Sequence, residues 1–267
     1  MTNPAHIIVL DSGAGGLSIA KTILQLAPRP LRLSYFADLS HFPYGNKDDA
    51  FLIPHLCELC DQLIRQHQPD LLVLACNTAS TIALPELRRR FPCPFVGVVP
   101  AIKPAAKLTT TRCIGVLATP ATVNRQYTHS LIEQFAGHCE VKLYGSDVLV
   151  RCAENHVNQQ AIDEDIIKFE IEQLLRQQEA MDTVVLACTH FPLIVHLLRS
   201  AAPAIRYWVD SSAAIAKRTF QVLDIGSTSA TTATQHETTI LIGLSETADK
   251  QTQTLKKNYE RLLLTGC

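Results

Sequence analysis

Nowhere in this chain of 267 residues do four basic residues stand together, and Lys plus Arg (24) balance Asp plus Glu (25) to a net charge of −1. A dedicated nucleic-acid binder carries a basic footprint, so no nucleic-acid partner is expected. No apolar run approaches the roughly 18 residues that a membrane span needs. The longest are short pieces such as Leu71 to Cys76 and Val184 to Cys188, so no membrane association is expected either. The first residues show no basic segment leading into a long apolar stretch, which reads as no secretory signal and predicts a cytoplasmic protein with reduced thiols. Gly13, Gly15 and Gly16 do not make a GxGxxG motif because position 18 is Ser, and no Walker sequence occurs, which argues against a nucleotide site. Cys57-Glu-Leu-Cys60 lacks a second pair at zinc-finger spacing, so it reads as structural, and no metal is expected.

What is present is apolar material for a full core: 47% of the residues are hydrophobic and 18% charged, a composition that rules out disorder for the bulk of the chain. At roughly 150 residues per domain the length corresponds to about 1.8 domains, which leaves one large or two modest domains open. Non-alternating runs at His6 to Leu10, Leu33 to Phe36, Leu71 to Ala75, Phe95 to Val99, Cys113 to Leu117, Val184 to Ala187 and Tyr207 to Val209 read as buried parallel strands. Helical patterns lie between them at Gly16 to Leu26, Asp49 to Gln66, Ser80 to Arg90, Ala121 to Ala136, Glu164 to Glu179 and Leu193 to Ala201. Alternation of this kind predicts an α/β fold with mostly parallel sheets, whose ligands bind beyond the carboxyl ends of the strands. The residues there are Asp11-Ser12-Gly13, Ala37-Asp38, Cys76-Asn77-Thr78, Pro100-Ala101, Ala118-Thr119, Cys188-Thr189-His190 and Asp210-Ser211.

Two of these positions echo one another. Asp70-Leu-Leu-Val-Leu-Ala-Cys76 and Asp182-Thr-Val-Val-Leu-Ala-Cys188 share an Asp six residues ahead of a Cys and an identical Val-Leu-Ala-Cys, at an offset of 112 residues. Val9-Leu10-Asp11-Ser12 and Val116-Leu117-Ala118-Thr119 repeat more weakly at an offset of 107. Similar offsets point to two similarly built α/β halves, each with a thiol after a strand and directly before a helix. A helix N-terminus there favours thiolate, with Asn77, Thr78 and Ser80 expected to cap one helix and Thr189 the other. Two thiols across a cleft suit removal of a proton from one face of a carbon and its return to the opposite face.

The ordered set Asp11-Ser-Gly-Ala-Gly-Gly-Leu17, Pro43-Tyr-Gly45, Ala75-Cys-Asn-Thr-Ala-Ser80, Gly97-Val-Val-Pro-Ala101, Gly115-Val-Leu-Ala-Thr119 with Thr122, and Cys188-Thr-His-Phe-Pro-Leu193 resembles the motif set of the bacterial glutamate racemase family, over residues 7 to about 212. The resemblance implies two similar α/β domains, residues 1–98 with 210–267 and residues 99–209, with the active site in the cleft between them. It implies cofactor-free interconversion of L- and D-glutamate, supplying the D-isomer for peptidoglycan, in a homodimer. Carried onto this sequence, Cys76 would handle the proton of the D-isomer and Cys188 that of the L-isomer, with Asp11 assisting the first thiol and His190 the second. A thiol needs such a partner to shuttle protons near neutral pH. Ser12, Tyr44, Gly45, Asn77, Thr78 and Thr189 match positions that hold the carboxylates and ammonium of the substrate, to which Asp11 and His190 also belong. Thr119, Thr122 and Glu154 are further candidates.

The chain departs from the family pattern at Ala187, where Gly is common, at Phe191, where Tyr is usual, and at His156, where small residues are usual. His6, His129 and His196 read as structural or solvated. Three rivals remain: a sister racemase acting on aspartate or a hydantoin, a Cys188/His190 hydrolase, and a non-enzymatic partner-binding role such as gyrase inhibition. The hydrolase gives no task to Cys76, and the binding role has no basic patch or extension ahead of the first strand to support it. The Ser/Thr-rich stretch 226–239 is expected to be a loop before a late strand at Thr239 to Leu244 and a terminal helix.

Overall fold

The computed structural model describes residues 3–176, 180–225, 236–243 and 250–264. They form two compact units, residues 1–98 with 212–267 and residues 99–211, so the first unit is discontinuous in sequence. In chain order the first unit runs β1 (Ala5–Asp11), α1 (Leu17–Leu26), β2 (Leu31–Ala37), α2 (Asp49–His67), β3 (Leu71–Leu74), α3 (Asn77–Arg90) and β4 (Phe95–Gly97). The second continues with α4 (Ile102–Leu108), β5 (Cys113–Ala118), α5 (Pro120–Val123), α6 (Gln126–Ala136), β6 (Glu140–Gly145), α7 (Asp147–Val157), α8 (Glu164–Leu175), β7 (Thr183–Leu186), α9 (Val195–Ala201) and β8 (Tyr207–Val209). The chain then returns to the first unit for α10 (Ser212–Val222), β9 (Glu237–Ile242) and α11 (Lys250–Leu264).

Both sheets are parallel throughout, in the orders β4-β3-β1-β2-β9 and β6-β5-β7-β8. Reversing the second order sets β8, β7, β5 and β6 against β4, β3, β1 and β2, with β9 an addition to the first unit. The registers agree as well. Val9 pairs with Val73 and Leu10 with Leu74, and at the two sequence offsets Val116 pairs with Val185 and Leu117 with Leu186. The tetrapeptide echo is therefore a repeat of strand position and pairing. The two aspartates that open the echo both sit ahead of these strands. Asp70 accepts from the His6 backbone N–H at 2.7 Å. Asp182 accepts from Thr109 Oγ1, Thr110 N, Thr110 Oγ1, Thr111 N and Thr183 Oγ1 at 2.6–3.1 Å.

The cores explain the non-alternating strands, since parallel sheets covered on both faces leave no side for polar residues. Ile7, Ile8, Val9, Leu10, Leu71, Leu72, Val73 and Leu74 are all buried. One face of β1 and β3 packs on Leu52, Leu56, Cys60 and Leu63 of α2 and on Ala83 and Leu87 of α3. Cys57 and Cys60 lie inside this cluster, and burial pushes both thiols up, which fits a packing role for them. In the second unit Ile114, Val116, Ala118, Val185 and Ala187 pack on Ile102, Ala105 and Ala136.

Several elements differ from expectation. The helix expected over Ala121 to Ala136 is two pieces, because Arg125 is extended (φ −75°, ψ 132°) and the Thr122 carbonyl accepts from the Thr128 hydroxyl at 2.7 Å. β6, α4, α7 and α10 escape the sequence patterns. β6 is an edge strand with no fully buried residue, so it offers no apolar run. Of the expected loop 226–239, residues 226–235 lie outside the described residues, and positions 237–239 belong to β9. The helix expected to reach Glu179 ends at Leu175, and residues 177–179 also lie outside the described set.

Candidate active site

At the carboxyl edge of the first sheet, β1 and β3 are neighbours whose register sets Asp11 level with Ala75, one residue before Cys76, with the Ala75 N–H donating to the Leu10 carbonyl at 2.7 Å. Asp11 is fully buried, and its Oδ1 accepts from the Ser12 backbone N–H at 2.6 Å. The loop after it is held by the Tyr35 hydroxyl, which donates to the Gly13 carbonyl at 2.6 Å. A side chain at Gly16 would place its Cβ 2.8 Å from that of Ala75, so this loop approaches the end of β3 more closely than any larger residue permits. Cys76 itself is the N-cap of α3, with extended backbone (φ −138°, ψ 124°). That position sets Cys76 at the N-terminus of the helix, where the helix dipole favours negative charge.

The expected caps are corrected by this geometry. Asn77 and Thr78 are the first residues of α3 and not its cap. Ser80 ties strand ends instead: its hydroxyl donates to the Leu74 carbonyl at 2.8 Å and accepts from the Val98 N–H at 2.9 Å. Asn77 is buried, and its Oδ1 has no hydrogen-bond partner. A buried acceptor left open in this way is uncommon and marks a place where a donor can be received.

Tyr44 and Gly45 lie in the 3-10 turn Tyr44–Asn46, after a cis Phe42–Pro43 peptide. The Tyr44 hydroxyl donates to Asp38 Oδ2 at 2.7 Å. Burial first, then the negative charges of Asp38, Cys76 and Asp11, push its pKa well above the usual phenol value, so it stays a neutral donor. Asp38 is marked by the sequence as a residue at the end of a strand but is given no task in the site. It comes after β2 as Asp11 comes at the end of β1, and that position at the carboxyl edge was the available signal. Its carboxyl is held below the usual range despite the opposing effect of burial, because His55, His41 and Tyr44 all hydrogen-bond to it.

The second sheet delivers Cys188 after β7, and here the expectation of a helix directly behind the thiol fails. The chain continues through Thr189 and His190 into a 3-10 turn, Phe191–Ile194, and only then into the seven-residue α9. Thr189 caps neither element, the residue at the turn's N-cap being His190. In place of a helix end, Cys188 has an imidazole: its Sγ lies 3.9 Å from His190 Nδ1, and His190 Nε2 lies 2.8 Å from Glu154 Oε1. All three are on unit two, and Cys188 and His190 are buried. Burial alone would oppose a charge on His190. The hydrogen bonds and negative charges of Cys188 and Glu154 outweigh it and raise its pKa well above the usual value.

Glu154 thus joins the thiol through His190, carried there by α7. Thr119 and Thr122 behave differently. Thr119 caps α5, accepting from the Thr122 N–H at 3.2 Å and donating to the Thr122 hydroxyl at 3.0 Å. His156 faces His196 at 5.0 Å between ring centres, and His6 is bonded to Ser34 and Arg32 within the first unit.

A family model described as Asp/Glu/hydantoin racemase matches residues 18–219. A glutamate racemase of Pectobacterium atrosepticum is 50% identical over 213 residues, covering 80% of this chain and 74% of the relative. One of Sodalis glossinidius is 47% identical over 212 residues, covering 79% and 73% respectively. The solved structure of Escherichia coli glutamate racemase, in complex with L-glutamate and the activator UDP-MurNAc-Ala, aligns with 97% of this chain and 96% of its own at 38% identity and a TM-score of 0.86. With two parallel sheets, a cysteine released at equivalent places in each, and relatives this similar over most of their length, the chain belongs to the glutamate racemases of the Asp/Glu/hydantoin racemase family.

Proposed function

We propose that the chain interconverts L- and D-glutamate by a two-base mechanism in which Cys76 and Cys188 act on opposite faces of one α-carbon. The observation that carries this reading is that β3 and β7, equivalent in order and register, each lead into a cysteine just beyond the carboxyl end, with an imidazole at the sulfur of Cys188. Starting from D-glutamate, the Cys76 thiolate takes the α-proton, the α-carboxylate receives the charge of the carbanion, and the Cys188 thiol donates its proton to the other face. The roles reverse from L-glutamate, and no redox partner is consumed. Asp11 assists Cys76, and the His190–Glu154 pair assists Cys188, since the imidazolium can give its Nδ1 proton to the Cys188 thiolate and the neutral imidazole so formed can take it back. Neutral donors suit a dicarboxylate substrate: Ser12, the Tyr44 and Gly45 backbone N–H groups, Thr78 and Thr189 take the carboxylates, and the open Oδ1 of Asn77 takes the ammonium. The same reading carries a cytoplasmic homodimer that supplies D-glutamate for peptidoglycan. Among the described residues no helix is long and apolar enough to cross a membrane.

The test is incubation of the purified chain with each glutamate enantiomer in heavy water, without added cofactor, following optical rotation and α-deuteration, with D- and L-aspartate in parallel. Racemisation of glutamate with solvent deuterium entering the product supports the reading. Absence of α-exchange, or a preference for aspartate, overturns it. Sedimentation velocity reads the dimer.

A further inference from the structure

Outside the residues assigned to proton transfer, the first unit holds a cluster to which the proposed racemisation assigns no step. Asp38 leaves β2 and is buried at 4% exposure. His55 Nε2 lies 2.6 Å from its Oδ2, and His41 Nδ1 lies 3.0 Å from its Oδ1. His41 ends the 3-10 turn Leu39–His41, and His55 is on α2, so two separate elements converge on one carboxylate. The imidazoles are held in place by ring contacts: their centroids are 3.9 Å apart, and Phe51 stacks on His55 at 5.6 Å with a 7° interplanar angle.

One ligand atom from each of Asp38, His41 and His55 lies within 4.8 Å of the others. Donors placed about 2.0–2.1 Å from a tetrahedral ion stand roughly 3.3 Å from one another, so the three need shift little to share one. The donor set decides the kind of ion. Two imidazoles with one carboxylate suit zinc and its neighbours, whereas calcium and magnesium call for an all-oxygen shell. A lone CxxC argues against a cysteine-built site and says nothing about an imidazole one. Among the described residues this is the one group of three or more such side chains that converges in this way.

We propose that Asp38, His41 and His55 form a binding site for one divalent transition-metal cation of the zinc class. Each neutral imidazole presents its unprotonated nitrogen to the ion and keeps its proton on the other ring nitrogen, while Asp38 supplies the anionic oxygen. Water completes the shell on the open side, where the His41 side chain is 33% exposed. Because Asp38 also receives the Tyr44 hydroxyl, the ion would share its carboxylate with the turn that carries Tyr44 and Gly45.

The experiment is an anaerobic titration of the reduced full chain with Co2+, followed by visible absorption and by competition with Zn2+. One ion per chain is expected, with d–d absorption and without the sulfur-to-cobalt charge-transfer band that a thiolate ligand produces. The H41Q/H55Q double variant, checked for folding by circular dichroism, should weaken binding by at least roughly 100-fold, and His41→Gln alone, at a partly exposed side chain, by roughly tenfold. The proposal is overturned if no d–d spectrum develops, if a charge-transfer band accompanies the first equivalent, or if His41→Gln binds cobalt as tightly as the wild type. The outcome is independent of racemase activity.

Discussion

The two halves of this molecule place a cysteine by the same means and equip it by different ones. Placement comes from the sheets, where Val9 and Leu10 meet Val73 and Leu74 as Val116 and Leu117 meet Val185 and Leu186. Equipment comes from the segment behind each strand. Cys76 opens the 14-residue helix α3 with buried carboxylates and Tyr44 near it, whereas Cys188 precedes only a 3-10 turn and has His190 backed by Glu154. The lesson is that a duplicated frame transmits position faithfully while its loops diverge in chemistry. For a reaction whose two faces are mirror-related at carbon but not at the rest of the substrate, unlike acid–base groups are a reasonable outcome.

The largest effect should come from the thiols themselves. Cys76→Ser and Cys188→Ser should each lower kcat for both directions by roughly 10²- to 10⁴-fold, the usual contribution of a general acid or base, while glutamate still binds by calorimetry. If one variant stays fully active, the pairing of the halves is broken. Next in size, Glu154→Gln should lower kcat roughly 10- to 100-fold with a smaller change in KM, because a charged hydrogen bond of about 1.5–3 kcal/mol to His190 is lost. An unchanged rate would mean that Cys188 works without a relay and that the halves differ less than their geometry implies.

Smaller again, Asp182→Asn should destabilise the chain by about 1–3 kcal/mol in urea unfolding, and Asp70→Asn by less, because Asp182 receives five donors. Hydrogen bonds from Thr109 and Thr110 lead the effects that overcome burial and lower the Asp182 pKa, so its contribution is present above about pH 3.8 and is lost as pH falls toward the lowered value. Equal losses from the two variants would show that the strand starts are braced alike. The smallest effect concerns His190. Its raised pKa gives stability that is fully present below about pH 6.5 and declines as pH rises through the folded value, because the native state then holds a proton that the unfolded chain has released. His190→Asn should remove that decline from a series of urea midpoints taken at rising pH, and the slope at fixed pH cannot exceed about 1.4 kcal/mol per unit for one proton.

Much of this was legible in the sequence for a simple reason. Buried parallel strands are written as unbroken Val, Ile and Leu, and the residues after them are the ones exposed to ligand, so Asp11, Cys76 and Cys188 stood out in place. What escaped was structure whose cause is not periodic. β6 is half-exposed at a sheet edge, and the break at Arg125 depends on a side-chain bond from Thr128 three residues later. The absence of a helix behind Cys188 rests on local turn geometry, although the residues Cys188-Thr-His-Phe-Pro are equally compatible with a helix start. His41 and His55 could not be paired from sequence because their meeting depends on how α2 packs over the end of β2.

The discontinuity of the first unit also sets an order of assembly. As the chain emerges during synthesis, β5 to β8 are complete while the first unit still lacks α10, β9 and α11. The inserted unit can close on itself at once, with the Ser211 hydroxyl donating to the Val99 carbonyl at 2.6 Å where its two ends meet. The Cys76 half waits longer, its strand β2 presenting an open edge until β9 arrives to pair with Arg32 through Ala37. The part made first is therefore the part finished last, and the interval between the two is when this protein is most open to wrong partners.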